Sequence, residues 1–128
     1  MEQQQVTFKY DFNALENGHI VLAQHFCSGQ AKIRPFVIIY NTNNKFKFRE
    51  YTAVPLFSDL ENHIVRETRY ELVVNKSATN RLKINGYAKC HQVQTLCQQN
   101  IIGVIGKIEH NVLHDMQSLF NEYCNYNN

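Results

Sequence analysis

Two apolar, β-branched runs dominate the pattern of this chain: residues 20–23 (Ile-Val-Leu-Ala) and 36–40 (Phe-Val-Ile-Ile-Tyr). Between them lies a polar stretch holding Ser28, Gly29, Gln30 and Lys32. The pattern predicts two strands joined across a Gly-containing loop. Arg34-Pro35 leads into the second strand. Proline has no N–H to give a ladder and suits a strand's first residue, and it drives the residue before it into an extended conformation. A guanidinium is thereby fixed at the rim of a sheet, beside a loop rich in donors, where an anion would fit.

The rest of the chain reads as more short strands and one helix. Residues 6–12 alternate apolar and polar, which suits an edge strand, an arm over the core or a tail. Thr42-Asn43-Asn44 is a turn cluster, and Lys-Phe-Lys-Phe-Arg-Glu-Tyr (45–51) then alternates charge with aromatic, as a half-buried strand with a basic face does. Strands are expected over 51–58, 70–74, 87–96 and 101–108, with a loop or short helix at 59–69 and a basic loop at 75–85. The glycines at 103 and 106 suggest a bend in the last strand. From Glu109 the period changes. Val112, Leu113, Met116, Leu119, Phe120 and Tyr123 fall on one face of a helix. The sum is a mainly β fold of about six strands with a C-terminal helix, a small bent sheet or barrel.

Composition narrows the picture without deciding it. At 128 residues the chain suits one domain, here 18–128 after an N-terminal extension at 1–17. Thirteen Lys plus Arg against eleven Asp plus Glu leave a net charge of +2, so a basic site must come from clustering. The polar, acidic start and the lack of any long apolar run imply no export signal and no membrane segment. Cys27, Cys90, Cys97 and Cys124 are scattered, without Cys-x-x-Cys spacing, and read as reduced cytoplasmic thiols. His110 and His114 have metal-binding spacing beside Asp115 but no third ligand, so they read as helix surface, and no metal or cofactor is expected.

Three motifs in sequence carry a resemblance. The first is Gly18-His19-Ile20-Val21-Leu22, a polar loop, then Lys32-Ile33-Arg34-Pro35-Phe36-Val37-Ile38-Ile39. The second is Val54-Pro55-Leu56-Phe57-Ser58. The third is Leu82-Lys83 followed by Tyr87-Ala88-Lys89-Cys90-His91-Gln92-Val93-Gln94-Thr95. Their order resembles the MazF/PemK toxin family, ribosome-independent endoribonucleases with a small SH3-like barrel. Its patterns are Gly-Asp-Ile-Val with Arg-Pro-x-Val-Ile, Ala-Pro-Ile-Thr-Ser, and Leu-x-x-x-Ser with Asp-Gln-x-Arg-Thr. Here the Thr before Ser is Phe57, so only Ser58 keeps a hydroxyl, and on a strand it should face away from Phe57. His19 and His91 stand where members have an acid, and Gln94 replaces an arginine.

The resemblance implies metal-independent cleavage of single-stranded RNA through 2′-OH attack to a 2′,3′-cyclic phosphate, by a homodimer held in check by an antitoxin. That chemistry needs a base, an acid and a cation on the transition state. Arg34 suits the cation, because a guanidinium binds phosphate oxygens in pairs and keeps its charge. His25 and His91 are candidates for acid and base, with Ser58 as the remaining hydroxyl. Lys32, Lys89, Ser28, Gln30 and Gln92 are candidate RNA contacts, and the basic face at 45–51 could extend the groove. Phe57 favours a different reading, a catalytically inactive binding protein of the same fold, either resembling the gyrase poison CcdB or regulatory.

Overall fold

The computed structural model describes residues 15–27, 30–41, 50–58 and 69–126, without the side chains of residues 26, 27 and 30. Strand β1 (His19–Cys27) and strand β2 (Gln30–Asn41) form the central hairpin, antiparallel from Ile20 opposite Val37 to Cys27 opposite Gln30. β3 (Glu50–Ser58) lies on the free side of β2. Three short strands follow, β4 (Glu71–Val74), β5 (Gly86–Lys89) and β6 (Gln94–Cys97), then β7 (Ile101–Lys107) and the helix α1 (His110–Tyr126). β7 pairs with the outer edge of β1. The far edge of β3 is divided: Glu50 to Ala53 pair with β6, and Leu56 to Ser58 with β5, which also carries β4.

The expected mainly β fold with a C-terminal helix is present, built on a seven-stranded sheet. Its path runs β4-β5-β3-β2-β1-β7 with β6 beside β3, so β4 and β7 are its two ends and it does not close on itself. The apolar run in β2 lacks alternation because both faces of that strand are covered. Phe36 and Ile38 enter one cluster with Val21, Ala23, Tyr51 and Leu96. Val37 and Ile39 enter the other with Val54, Leu113 and Met116. Leu113 and Met116 are the buried face of α1, and Gln117 Nε2 donates to Ile39 O at 2.7 Å, fixing the helix on β2. Gly103 and Gly106 lie where β1 and β7 slip register, so the expected bend takes the form of two bulges.

Two local expectations change. β2 begins at Gln30, so Gln30, Lys32 and Arg34 are strand residues and Pro35 lies within the strand. The proline is tolerated because the ladder from β2 to β3 ends one residue later, at Phe36 opposite Pro55. The strand expected over 87–96 is broken into β5 and β6. Lys89 O accepts from Gln92 N at 3.0 Å and Tyr70 O from Cys90 N at 3.0 Å, so the chain turns at Cys90 and His91. The strand proposed for 6–12, the basic face at 45–49, the loop at 59–68 and Ser28 lie outside the described residues.

Candidate functional site

Alternation along paired strands brings the site together. Arg34 stands opposite Ala23, and His25 opposite Lys32, so Arg34 and His25 are diagonal neighbours on one face. Arg34 Nε donates to His25 Nδ1 at 3.0 Å, and Arg34 Nη1 donates to Leu56 O at 3.2 Å. Leu56 is the next residue of β3 beyond the end of the ladder, where Pro35 has no N–H to offer. The arginine side chain supplies the donor that the proline lacks. Arg34 is 7% exposed and His25 5% exposed. A guanidinium cannot accept, so Nδ1 of His25 offers its lone pair and the ring proton is on Nε2. In this geometry His25 orients Arg34.

Phe57 shares that face. Its ring centroid lies 4.0 Å from Arg34 Cζ and 4.5 Å from Lys89 Nζ, both cation–π distances. Tyr87, the register partner of Phe57, stacks on it at 5.6 Å, and His25 meets it edge-on at 5.7 Å. Gly86 makes this pairing possible, since a Cβ there would lie 2.0 Å from Phe57 O.

Beside this cluster is a cavity of about 530 Å³, within the range of small-ligand sites. Leu22, Leu56, Val74 and Ile105 supply apolar wall, and Lys32, Arg34, Arg81 and Lys83 supply charge. No Asp or Glu lines it among the described residues. Ser58 and Phe57 both line it, although they alternate on β3. The arrangement suits a polyanion with apolar or aromatic parts.

Of the residues singled out in the sequence, Arg34, His25 and Lys89 meet around Phe57, and Lys32 and Ser58 share the cavity with Arg34. His91 is placed elsewhere, because the turn after Lys89 removes it from the strand face. Its ring lies 6.1 Å from both Tyr70 and Tyr123. Gln92 is exposed in the same turn. Sequence reasoning missed Tyr87, which alternation from Lys89 could have supplied, and Arg81, which nothing distinguished within its basic loop. His110, His114 and Asp115 are exposed on α1.

Other titratable groups have structural surroundings. Burial pushes the Cys90 thiol up to about 12, which makes it a poor nucleophile. Burial first, then the charge of Lys107, lowers His19, whose Nδ1 accepts from Glu16 N at 2.8 Å. The hydroxyl of Ser77 is the main cause holding the Glu109 carboxyl below its ordinary value.

The sequence matches the family model described as PemK-like, MazF-like toxin of type II toxin–antitoxin system over residues 16–123. No curated protein matches it. Among solved structures, an endoribonuclease in complex with its cognate antitoxin from a mycobacterial species is 14% identical, with 88% of this chain and 96% of that chain covered and a TM-score of 0.63. A second mycobacterial endoribonuclease is 16% identical, with 90% and 96% covered and a TM-score of 0.61. The Mycobacterium tuberculosis toxin MazF-mt6 is 19% identical, with 84% and 96% covered and a TM-score of 0.59. At these identities the structures speak for the fold, while the family match spans most of the sequence. The chain belongs to the family of PemK-like, MazF-like toxins of type II toxin–antitoxin systems.

Proposed function

We propose that the protein is a toxin endoribonuclease that cuts single-stranded RNA without a metal, by attack of a ribose 2′-OH on the adjacent phosphate. The 2′ oxygen bonds to phosphorus, the bond from phosphorus to the 5′ oxygen breaks, one proton leaves the 2′-OH and one reaches the 5′ oxygen. The observation that carries this reading is Arg34, an oriented guanidinium on the wall of a cavity whose charges among the described residues are all positive. It would stabilise the charge that grows on the non-bridging oxygens. His25 is a positioning residue acting through Arg34. Ser58, which lines the same cavity as Arg34, and Lys89, which lies over the Phe57 ring, are assigned to proton exchange, and Lys32 is a phosphate contact. We further propose a cytoplasmic homodimer neutralised by an antitoxin, in line with the complex in which one structural relative was solved. Among the described residues no helix is long and apolar enough to cross a membrane.

One observation favours a second reading, loss of cleavage with retention of binding. Phe57 stands where the family pattern has a threonine and lies against the guanidinium. Purified protein incubated with a long RNA, with and without EDTA, separates the two. The ribonuclease reading expects site-selective cuts with 2′,3′-cyclic ends in both arms. Arg34→Ala should lower the rate by about 10²-fold or more, as loss of one preorganised transition-state donor does, with an unchanged circular dichroism spectrum. RNA retention without cuts would establish the binding reading instead.

A further inference from the structure

Arg81 has φ 60°, the one non-glycine residue with positive φ among the described residues. For an arginine this left-handed backbone is disfavoured and persists only where the surroundings impose it. The surroundings here are unusually complete. Asn80, fully buried, accepts at Oδ1 from Ser77 N at 2.9 Å and from Leu82 N at 3.0 Å. Its Nδ2 donates to Asn75 O at 2.8 Å and to Glu109 Oε1 at 3.4 Å, and its own N–H donates to Ser77 Oγ at 3.1 Å. Ser77 Oγ in turn donates to Glu109 Oε2, and Arg81 N to Ser77 O at 2.9 Å. The loop is thus tied on both sides of Arg81 and to the residue before α1.

β7 makes room for it. A Cβ on Gly106 would lie 2.6 Å from Asn80 O and 3.2 Å from Arg81 Cγ, so the loop backbone and the arginine stem rest directly on the glycine. The result is an exposed Arg81 side chain lining the same cavity as Arg34, with Lys83 two residues on. A strained backbone, a buried network that enforces it and a cation delivered to a cavity that no acid lines among the described residues point to one purpose.

We propose that Arg81 is a second phosphate-binding residue, which holds a phosphodiester neighbouring the one at Arg34 and is set in place by the Asn80 network. The inference rests on the reading that the cavity takes RNA. It gives that site a longer substrate, an RNA strand with at least two phosphates engaged at once.

The test uses the full chain and a fluorescein-labelled single-stranded RNA with 2′-O-methyl groups throughout, which cannot be cut. Its dissociation constant is measured across a KCl series. Each phosphate contact on a single strand adds about 0.7 to the slope of log affinity against log salt. Arg81→Gly accepts the left-handed backbone without strain, so it should keep the melting temperature while flattening the slope by about 0.7 and weakening binding about tenfold. Arg81→Lys should retain most of the slope, and Lys76→Ala, in the same loop but off the cavity, should change it least. If Arg81→Gly keeps wild-type slope and affinity while Arg34→Ala loses both, the proposal for Arg81 is overturned and the RNA reading survives. If the wild-type protein shows no salt-dependent binding, the RNA reading falls and the proposal with it.

Discussion

Arg34 Nε donates to an imidazole nitrogen, and that single bond separates two roles for His25. A general base must exchange a proton, whereas a positioning residue need only accept a hydrogen bond. The carbonyl oxygen of a glutamine can accept as Nδ1 does. His25→Gln is therefore expected to keep cleavage within about tenfold of wild type, while His25→Leu leaves a buried guanidinium N–H unsatisfied, at a cost of about 1–3 kcal/mol. The leucine variant should lose at least a further tenfold in kcat, with KM for RNA changing less. A glutamine variant as inactive as the leucine one would return His25 to proton transfer. At this scale the sequence was partly legible. Arg34 stood out because Pro35 follows it, and His25 because it flanks the same hairpin. Phe57 was visible as a departure from the family pattern, yet its contact with Arg34 depends on β3 crossing from β2 to β5, which no local pattern records. Arg81 was hidden because its signal is a backbone angle imposed by Asn80, and composition carries no trace of that.

Among the elements, β1, β2 and α1 were legible from the sequence because their apolar periods are long and each has a partner that buries it. The break between β5 and β6 was not. No glycine or proline marks Cys-His-Gln-Val at 90–93, and its one irregularity is the polar pair His91-Gln92. The turn combines a local bond, Gln92 N to Lys89 O, with a tertiary one, in which Tyr70 O takes the N–H of Cys90. His91 was misplaced for that reason alone. The third motif also contains a residue whose requirement is purely steric. β5 approaches β3 so closely at Gly86 that a methyl group would overlap Phe57 O. Gly86→Ala should force the two strands apart and cost about 1–3 kcal/mol, the usual penalty for overpacking. For a chain of this size that corresponds to a fall in melting temperature of several degrees, about 3–10 °C. Because Phe57 and Tyr87 flank the displaced carbonyl, RNA cleavage should fall at temperatures where the variant is still folded. A melting temperature equal to wild type would show that the strands can separate without cost.

Over the whole molecule, the start of β1 is where β2, β7 and the segment before β1 are tied together. Gly18 N donates to Ile38 O at 2.6 Å, Ile108 N donates to Gly18 O at 2.8 Å, and Lys107 Nζ meets Glu16 Oε1 at 2.6 Å. His19 sits in this junction, where burial and then Lys107 oppose its protonation and lower its pKa from the ordinary 6.5. The unfolded chain therefore takes up a proton at His19 more readily than the folded one. The stabilisation is fully present above pH 6.5 and is lost as pH falls through that value towards the lower folded pKa, below which no further change comes from this group. Glu16 and Glu109 are also lowered, but from 4.5, so their contributions are lost at more acid pH and leave the window between about pH 5.5 and 7.5 to histidine. Urea denaturation at several pH values across that window should show the wild-type midpoint falling with acidification. In His19→Asn, whose side-chain oxygen can take the N–H of Glu16 without titrating, the midpoint should depend less on pH, and the difference between the two curves isolates His19 from the other histidines. Parallel curves would mean that the junction tolerates a charged imidazole, and that Glu16 and Lys107 hold β7 to the segment before β1 without regard to the ring beside them.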